Sequence, residues 1–197
     1  MRRFLPLLSF VLFSTSISAQ TIVTDRVEQD GRRQVMTKGI DLDFGMYQYT
    51  FTLKAYSGEL GTTWVLLVSS VAPIPDNAGL LIKLEDDRVL EFPINNLQMG
   101  NKSNPLGYMF QYGNVAVVTP PGKQDLYIAV FEVQSEQLAE MINNGVKKIR
   151  ISSSASHDYR EKSLGANRLA RYLESSRKAI RNQLKKPNSL DQLREGF

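Results

Sequence analysis

The 197-residue chain carries 24 Lys/Arg against 20 Asp/Glu, one histidine and no cysteine. The missing cysteine excludes disulfides, thiol catalysis, cysteine metal sites and the cysteine-linked anchor of bacterial lipoproteins, and one histidine on its own argues against a zinc site. The charge is split: residues 20–146 hold 9 Lys/Arg and 15 Asp/Glu, whereas residues 147–186 hold 12 and 3, so an acidic body precedes a basic end.

Met1-Arg2-Arg3 is a short basic start, Phe4 to Phe13 is mostly apolar, and Ser14 to Ala19 is small and polar. That is the layout of a secretory signal peptide cut after Ala19. Its apolar stretch is shorter than the roughly 20 residues that span a bilayer. The expected mature chain therefore acts in a periplasm or outside the cell. Its expected organisation is a signal peptide at 1–19, a β-sandwich at 20–155, a C-terminal helix at 156–186 docked on that domain, and a flexible tail at 187–197.

From Met46 to Tyr56 the chain alternates, with Tyr47, Tyr49, Phe51, Leu53 and Ala55 on one face, which predicts a half-buried antiparallel strand. Thr62 to Ser69 is apolar on both faces and reads as a central strand. Gly79 to Ile94 reads as a hairpin with a loop at Asp86-Asp87-Arg88. The expected pairing sets Leu80, Ile82 and Leu84 opposite Ile94, Phe92 and Leu90, with Lys83 across from Glu91. Tyr108–Tyr112 and Val115–Thr119 flank the turn signal Gly113-Asn114, and Leu126 to Val133 is another buried strand.

A helix follows, capped by Ser135, with Leu138, Met141 and Ile142 on one face and a stop at Asn144-Gly145. Val146 to Ser152 returns to strand, with Ile149 and Ile151 inward, and Ser152 to His157 reads as a polar linker. Leu164 to about Lys185 is a second helix, amphipathic and basic. Leu169, Leu173, Ser176, Ile180 and Leu184 form its stripe, and Arg168, Arg171, Arg177, Lys178, Arg181 and Lys185 occupy the other faces. About eight short strands with turn signals between them predict a sandwich or barrel. We take the reading as mainly β (α+β): an antiparallel β-sandwich with one crossover helix and a C-terminal basic amphipathic helix.

The segment from Tyr127 to Ile151, YIAVFEVQSEQLAEMINNGVKKIRI, resembles a strand–helix–strand stretch of uncharacterised secreted proteins of anaerobic Gram-negative gut bacteria. The resemblance covers about 25 residues and rests on apolar spacing. It implies a Gram-negative envelope setting and carries no assigned activity.

The chemistry-bearing residues are sparse. His157 lies in Ser152-Ser153-Ser154-Ala155-Ser156-His157-Asp158, but triad members converge from separate segments, and no Gly-x-Ser-x-Gly elbow is present. Asp41 and Asp43 share a face if extended, and Glu85, Asp86 and Asp87 cluster at a hairpin tip, where acids serve the turn. Asp41-Leu42-Asp43-Phe44-Gly45 matches a calcium loop poorly. No catalytic or metal residue is assigned and no cofactor is expected. The candidate binding residues are the cations Arg168, Arg171, Arg177, Lys178 and Arg181, together with Tyr108 and Tyr112 beside their turn. The expected function is a non-catalytic binding or envelope-associated protein. Two alternatives stay open: a hydrolase of envelope or dietary polymers, and a module that associates with anionic lipid or lipopolysaccharide through the basic helix. The charge layout suits anionic envelope lipid or an acidic protein as partner, and export argues against nucleic acid.

Overall fold

A computed structural model describes residues 20–44, 47–104, 108–112, 115–119, 122–153, 159–163 and 167–187. In chain order its first strands are β1 (Ile22–Val27), β2 (Arg33–Thr37), β3 (Ile40–Phe44), β4 (Tyr47–Gly58), β5 (Gly61–Ser70), β6 (Ala78–Leu84) and β7 (Val89–Pro93). Then come β8 (Asn96–Asn104), β9 (Tyr108–Tyr112), β10 (Val115–Thr119) and β11 (Gly122–Val133), helix α1 (Ser135–Asn144), β12 (Val146–Ser153), β13 (Tyr159–Ser163) and helix α2 (Arg168–Leu184). The strands build a seven-stranded sheet in the order β1-β2-β4-β5-β11-β8, with β3 also on β4, a four-stranded sheet β13-β12-β6-β7, and a separate β9–β10 hairpin. Every pairing is antiparallel. The fold is mainly β and sandwich-like, with two helices, as the alternation in the sequence leads one to expect.

The core follows from strand parity. In β4, Tyr49, Phe51, Leu53 and Ala55 are buried, while the alternate Thr50, Thr52, Lys54 and Tyr56 are only half-covered. In β6, Leu80, Ile82 and Leu84 are fully buried. These side chains join Leu66 and Val68 of β5, Phe131 of β11, Ile149 of β12 and Leu138 and Met141 of α1 in one hydrophobic cluster. Burying each large apolar side chain is worth about 1.5–3 kcal/mol, so this cluster holds the two sheets together. Helix α1 carries the chain from the large sheet to the small one.

Thirteen strands are present among the described residues, against the eight that periodicity marks. The additional ones, β1, β2, β3, β8 and β13, are rich in polar residues. Two local expectations need correction. In the β6–β7 hairpin the faces are as expected but the register is tighter: Leu80 pairs Phe92, Ile82 pairs Leu90 and Lys83 pairs Val89. Asp87 adopts φ 67°, and the turn closes with Leu84 N–H donating to the Arg88 carbonyl at 2.8 Å. This three-residue loop with a left-handed last position is a standard hairpin connection, and it moves Glu91 away from Lys83. The α1 cap is Gln134, not Ser135: the Gln134 N–H donates to Gln137 Oε1 at 3.0 Å.

Helix α2 packs on β2 and β4 of the large sheet, on β12 of the small one and on α1. It buries Leu169, Ala170, Tyr172, Leu173, Ser176 and Ile180. It also fills a gap in the sheet. Along one side of β4, β2 pairs as far as Lys54 and β3 takes over at Phe51, leaving residues 52–53 without a strand partner there. The Tyr172 hydroxyl accepts the Leu53 N–H at 2.9 Å, and the Thr37 hydroxyl donates to the Leu53 carbonyl at 3.2 Å. Thr37 Oγ1 lies 3.0 Å from Tyr172 Oη and 3.3 Å from Ser176 Oγ, so the buried hydroxyls satisfy one another. Gly39 carries the chain across this gap; a Cβ there would sit 2.5 Å from Thr52 Oγ1 and 2.6 Å from Thr50 Cγ2.

At the other end of α2, Arg33 grips Asp25 with two bonds of 2.8 Å and donates through Nη1 to the Lys186 carbonyl at 2.6 Å. Gln183 Nε2 donates to the same Asp25 carboxylate at 2.6 Å. The Arg33 bond, aided by Gln183, holds the Asp25 carboxyl below the usual aspartate range. A charged residue is thus tolerated in β2 because its donors are satisfied.

Candidate functional site

The cations singled out in the sequence all lie on α2, but they do not converge. Arg171, Lys178 and Arg181 are exposed at i, i+7 and i+10 and share one solvent face with Lys185 and Glu174. Arg168 is exposed near the helix start, with Nη2 3.4 Å from the Asp41 carbonyl. Arg177 departs from expectation: it is half-buried, and its Nε is buried with no hydrogen-bond partner. Burial, then the charge of Arg181 one turn on, pulls the Arg177 guanidinium below its ordinary range. The apolar stripe is buried in the sandwich, so only the charged face is available to a partner.

Arg171 and Glu174 also line an open groove of about 400 Å³ between the end of α1 and the start of α2, with Asn143, Asn144 and Asn167. Asn167 Oδ1 accepts the Val146 N–H at 3.1 Å, and Gly145, at φ 73°, makes the turn out of α1. A Cβ on Gly145 would lie 2.9 Å from Asn167 Oδ1, so the turn is fitted to that side chain. The groove holds one carboxylate, Glu174, among its lining. A glycosidase needs two facing one another across a cleft.

The acidic candidates serve the framework. Asp41 and Asp43 are exposed on β3, and Thr50 donates to Asp41 Oδ1 at 2.6 Å. At the β6–β7 tip, Asp87 is held by Lys83 at 2.8 Å and Lys147 at 2.9 Å, while Arg88 bonds Asp86 at 2.9 Å and Glu140 at 3.2 Å. The two lysines bring the Asp87 carboxyl down to about 2. Among the described residues, no group of three or more His, Cys, Asp or Glu could hold a metal ion. His157 and Asp158 lie outside the described residues, as do the signal-peptide segment and the tail from 188 onward.

Tyr108 and Tyr112 belong to the β9–β10 hairpin, a two-stranded sheet of its own. Its register pairs Tyr112 with Val115 and Tyr108 with Thr119; the turn expected at Gly113-Asn114 lies outside the described residues. Strand parity places positions 108, 110, 112, 115, 117 and 119 on one face. No charged residue occurs between Lys102 and Lys123. The hairpin is inserted between β8 and β11, which pair from Asn96–Val130 to Asn104–Gly122. Strands β11 and β5 separate β8 from β4, and α2 packs on β4 and β2. The hairpin thus leaves the large sheet at its β8 edge, whereas the cations lie on the helix that packs on β4 and β2.

Strand β8, which the sequence reading missed, is an open edge of the large sheet. Outside the β9–β10 hairpin, whose two strands are uncharged edges as well, the other open edges among the described strands carry charge: Asp25 and Arg26 on β1, Asp41 and Asp43 on β3, Glu91 followed by Pro93 on β7, and Arg160, Glu161 and Lys162 on β13. Charge and proline are how sheet edges avoid unwanted pairing. From Asn96 to Asn101, β8 has neither. Met99 shares a face with the half-buried Leu97, yet is 66% exposed. The sequence signal that could have found this surface is the neutral run from Ser103 to Gly122, together with the neutral Asn95-Asn96-Leu97-Gln98-Met99 before it. Comparison of the chain with protein-family models, curated proteins and solved structures gives no match.

Proposed function

We propose that this chain is an exported, non-catalytic interaction protein of a bacterial envelope, and that its working surface is the uncharged Asn96–Asn101 stretch of the β8 edge with the β9–β10 arm. The observation that carries the reading is the contrast between β8 and the charged edges elsewhere. An open strand offers a row of backbone donors and acceptors, and an added strand satisfies them. Two tyrosines, a phenylalanine and a methionine in β9 add the residue types that anchor protein interfaces. Export is supported by the layout of residues 1–19.

The exposed face of α2 supports a second reading, adsorption on anionic lipid or lipopolysaccharide. With its apolar stripe buried, the helix would act by charge alone and lose its hold at physiological salt. The two readings separate in one experiment. Mature protein from Gln20 is co-sedimented with Gram-negative envelope membranes and with anionic vesicles, at low and physiological salt. Met99→Lys and the pair Lys178→Glu/Arg181→Glu are run beside it. The edge reading expects envelope binding that survives salt and is lost in Met99→Lys. Binding lost only in the helix pair, or only on adding salt, favours the lipid reading. No binding to either membrane overturns both.

A further inference from the structure

We propose that the C-terminal half of α2 is a phosphate-binding site, with Arg181 at its centre and Arg177, Lys178 and Lys185 around it. On a helix, residues three and four apart are neighbours. Arg181 lies four residues from Arg177, three from Lys178 and four from Lys185, so one guanidinium has three cations beside it. No carboxylate among the described residues forms an ion pair with any of the four. Elsewhere on the protein cations are matched: Arg26, Arg32, Arg33, Lys83, Arg88 and Lys147 each hold an Asp or Glu oxygen at 3.2 Å or less. Like charges at helical spacing oppose one another, and an anion beside Arg181 would relieve all three contacts.

Arg177 is the second observation. It is half-buried, and its Nε–H is covered by protein and donates to nothing. Buried donors are almost always hydrogen-bonded, so this one calls for an acceptor. Because it holds no bond, turning the guanidinium out toward Arg181 breaks none. An oxyanion between the two arginines then gives both forks their acceptors. Burial and the charge of Arg181 pull the Arg177 guanidinium below its ordinary range, the direction expected of a cation with no counter-charge.

The count of charges selects the class of anion. A carboxylate brings one charge and two oxygens, too few for four cations. A phosphate monoester brings about −1.5 to −2 charges and three strong acceptor oxygens. Arginine meets two oxygens at once and lysine acts as a point charge, and this cluster has two of each. The apolar stripe of α2 is buried, so the ligand is held by its phosphate and not by an acyl chain. That phosphate is a lipid headgroup or a soluble phosphoester. The inference does not rest on the β8 edge.

Inorganic phosphate is titrated into the chain from Gln20 in phosphate-free buffer, against sodium chloride at matched ionic strength. The readouts are the arginine Nε–H signals in nitrogen-15 NMR and the thermal midpoint. Wild type runs beside Arg177→Met, Arg181→Gln and Met99→Lys, each checked for folding by circular dichroism. Phosphate, and not chloride, should shift the Arg177 and Arg181 signals saturably, with a midpoint on the order of 1 mM. The thermal midpoint should rise by about 3–6 °C at ten times that concentration. Arg177→Met and Arg181→Gln should each bind at least tenfold more weakly, and Met99→Lys should respond as wild type does. Vesicles of phosphatidylcholine with phosphatidic acid separate the two sources. If they reproduce the Arg177 shift and sediment the chain at physiological salt, the ligand is a headgroup; if free phosphate alone acts, it is a soluble phosphoester. Equal shifts in phosphate and chloride, or an Arg181→Gln variant that responds like wild type, overturn the site. The β8 reading would stand in that event, because it is scored on envelope binding and on Met99→Lys.

Discussion

The hydroxyl of Tyr172 accepts the backbone N–H of Leu53 at 2.9 Å, so a side chain on the last helix completes a hydrogen-bond ladder inside the large sheet. Here the shift from β2 to β3 along β4 leaves the space, and Thr37, Tyr172 and Ser176 fill it.

Tyr172→Phe removes the hydroxyl and keeps the ring. The buried Leu53 N–H is then bare, which costs about 1–3 kcal/mol. We expect a urea midpoint lowered by that amount with an unchanged slope. A variant as stable as wild type would show that water enters and replaces the hydroxyl.

Arg33→Ala unties three ends at once: Asp25 on β1, the Lys186 carbonyl beyond α2 and, through Asp25, Gln183. Hydrogen bonds to charged groups are worth about 1.5–3 kcal/mol, and we expect a loss near the top of that range. Amide hydrogen exchange should show the last turn of α2 opening ahead of the rest. Uniform loosening would mean that the clamp does not act locally.

Arg177→Met should stabilise the protein. The substitution keeps an aliphatic stem for packing and removes a buried Nε–H that has no partner, beside the like charge of Arg181. A gain of about 1 kcal/mol in thermal or urea unfolding is expected. A loss would show that the guanidinium has a ligand in solution.

Acid stability should depend on Asp25 and Asp87, whose folded carboxyls both titrate below the ordinary value of 3.8. A depressed folded pKa gives stability that is complete above the unfolded pKa and disappears as pH falls through the folded one. For Asp87 that window runs from about 4 down to about 2. Asp87→Asn should lower neutral-pH stability only slightly, because exposed ion pairs contribute little, and should flatten the loss between pH 4 and pH 2 by that same small amount. A wild-type chain equally stable across that interval would remove both groups from the account.

How far the fold can be read from the chain depends on which side of each strand is wet. β4, β5, β6 and β11 face the core with an apolar set, and their periodicity gives them away. β2 is just as buried, but its Arg33 and Gln34 are buried polar residues, and Arg33 is made tolerable by Asp25 on β1 and by the Lys186 carbonyl beyond α2, 153 positions away. β1, β8 and β13 are edges whose polar residues break any apolar period, whereas the β7 edge keeps Leu90 and Phe92 inward and could be read. The α2 stripe was legible because a helix that docks by one face must repeat at 3–4 residues. Arg177 shares that spacing with the exposed cations, yet turns toward the protein. The uncharged β8 edge could be recognised only once the strand order showed which strands were edges.

The bonds that close this structure join distant parts of the chain: Leu53 to Tyr172, and Arg33 to Lys186. Contacts of such long reach form late, since loop closure must precede them. The large sheet therefore lacks these two bonds while residues 168–186 are still being made. On this argument a nascent chain stays open until α2 has been made, and an open chain can still be threaded through a narrow channel. For the export proposed above, helix α2 would work as a timer as well as a clasp. Chains ended before position 168 should remain protease-sensitive, whereas those that include Lys186 should become resistant.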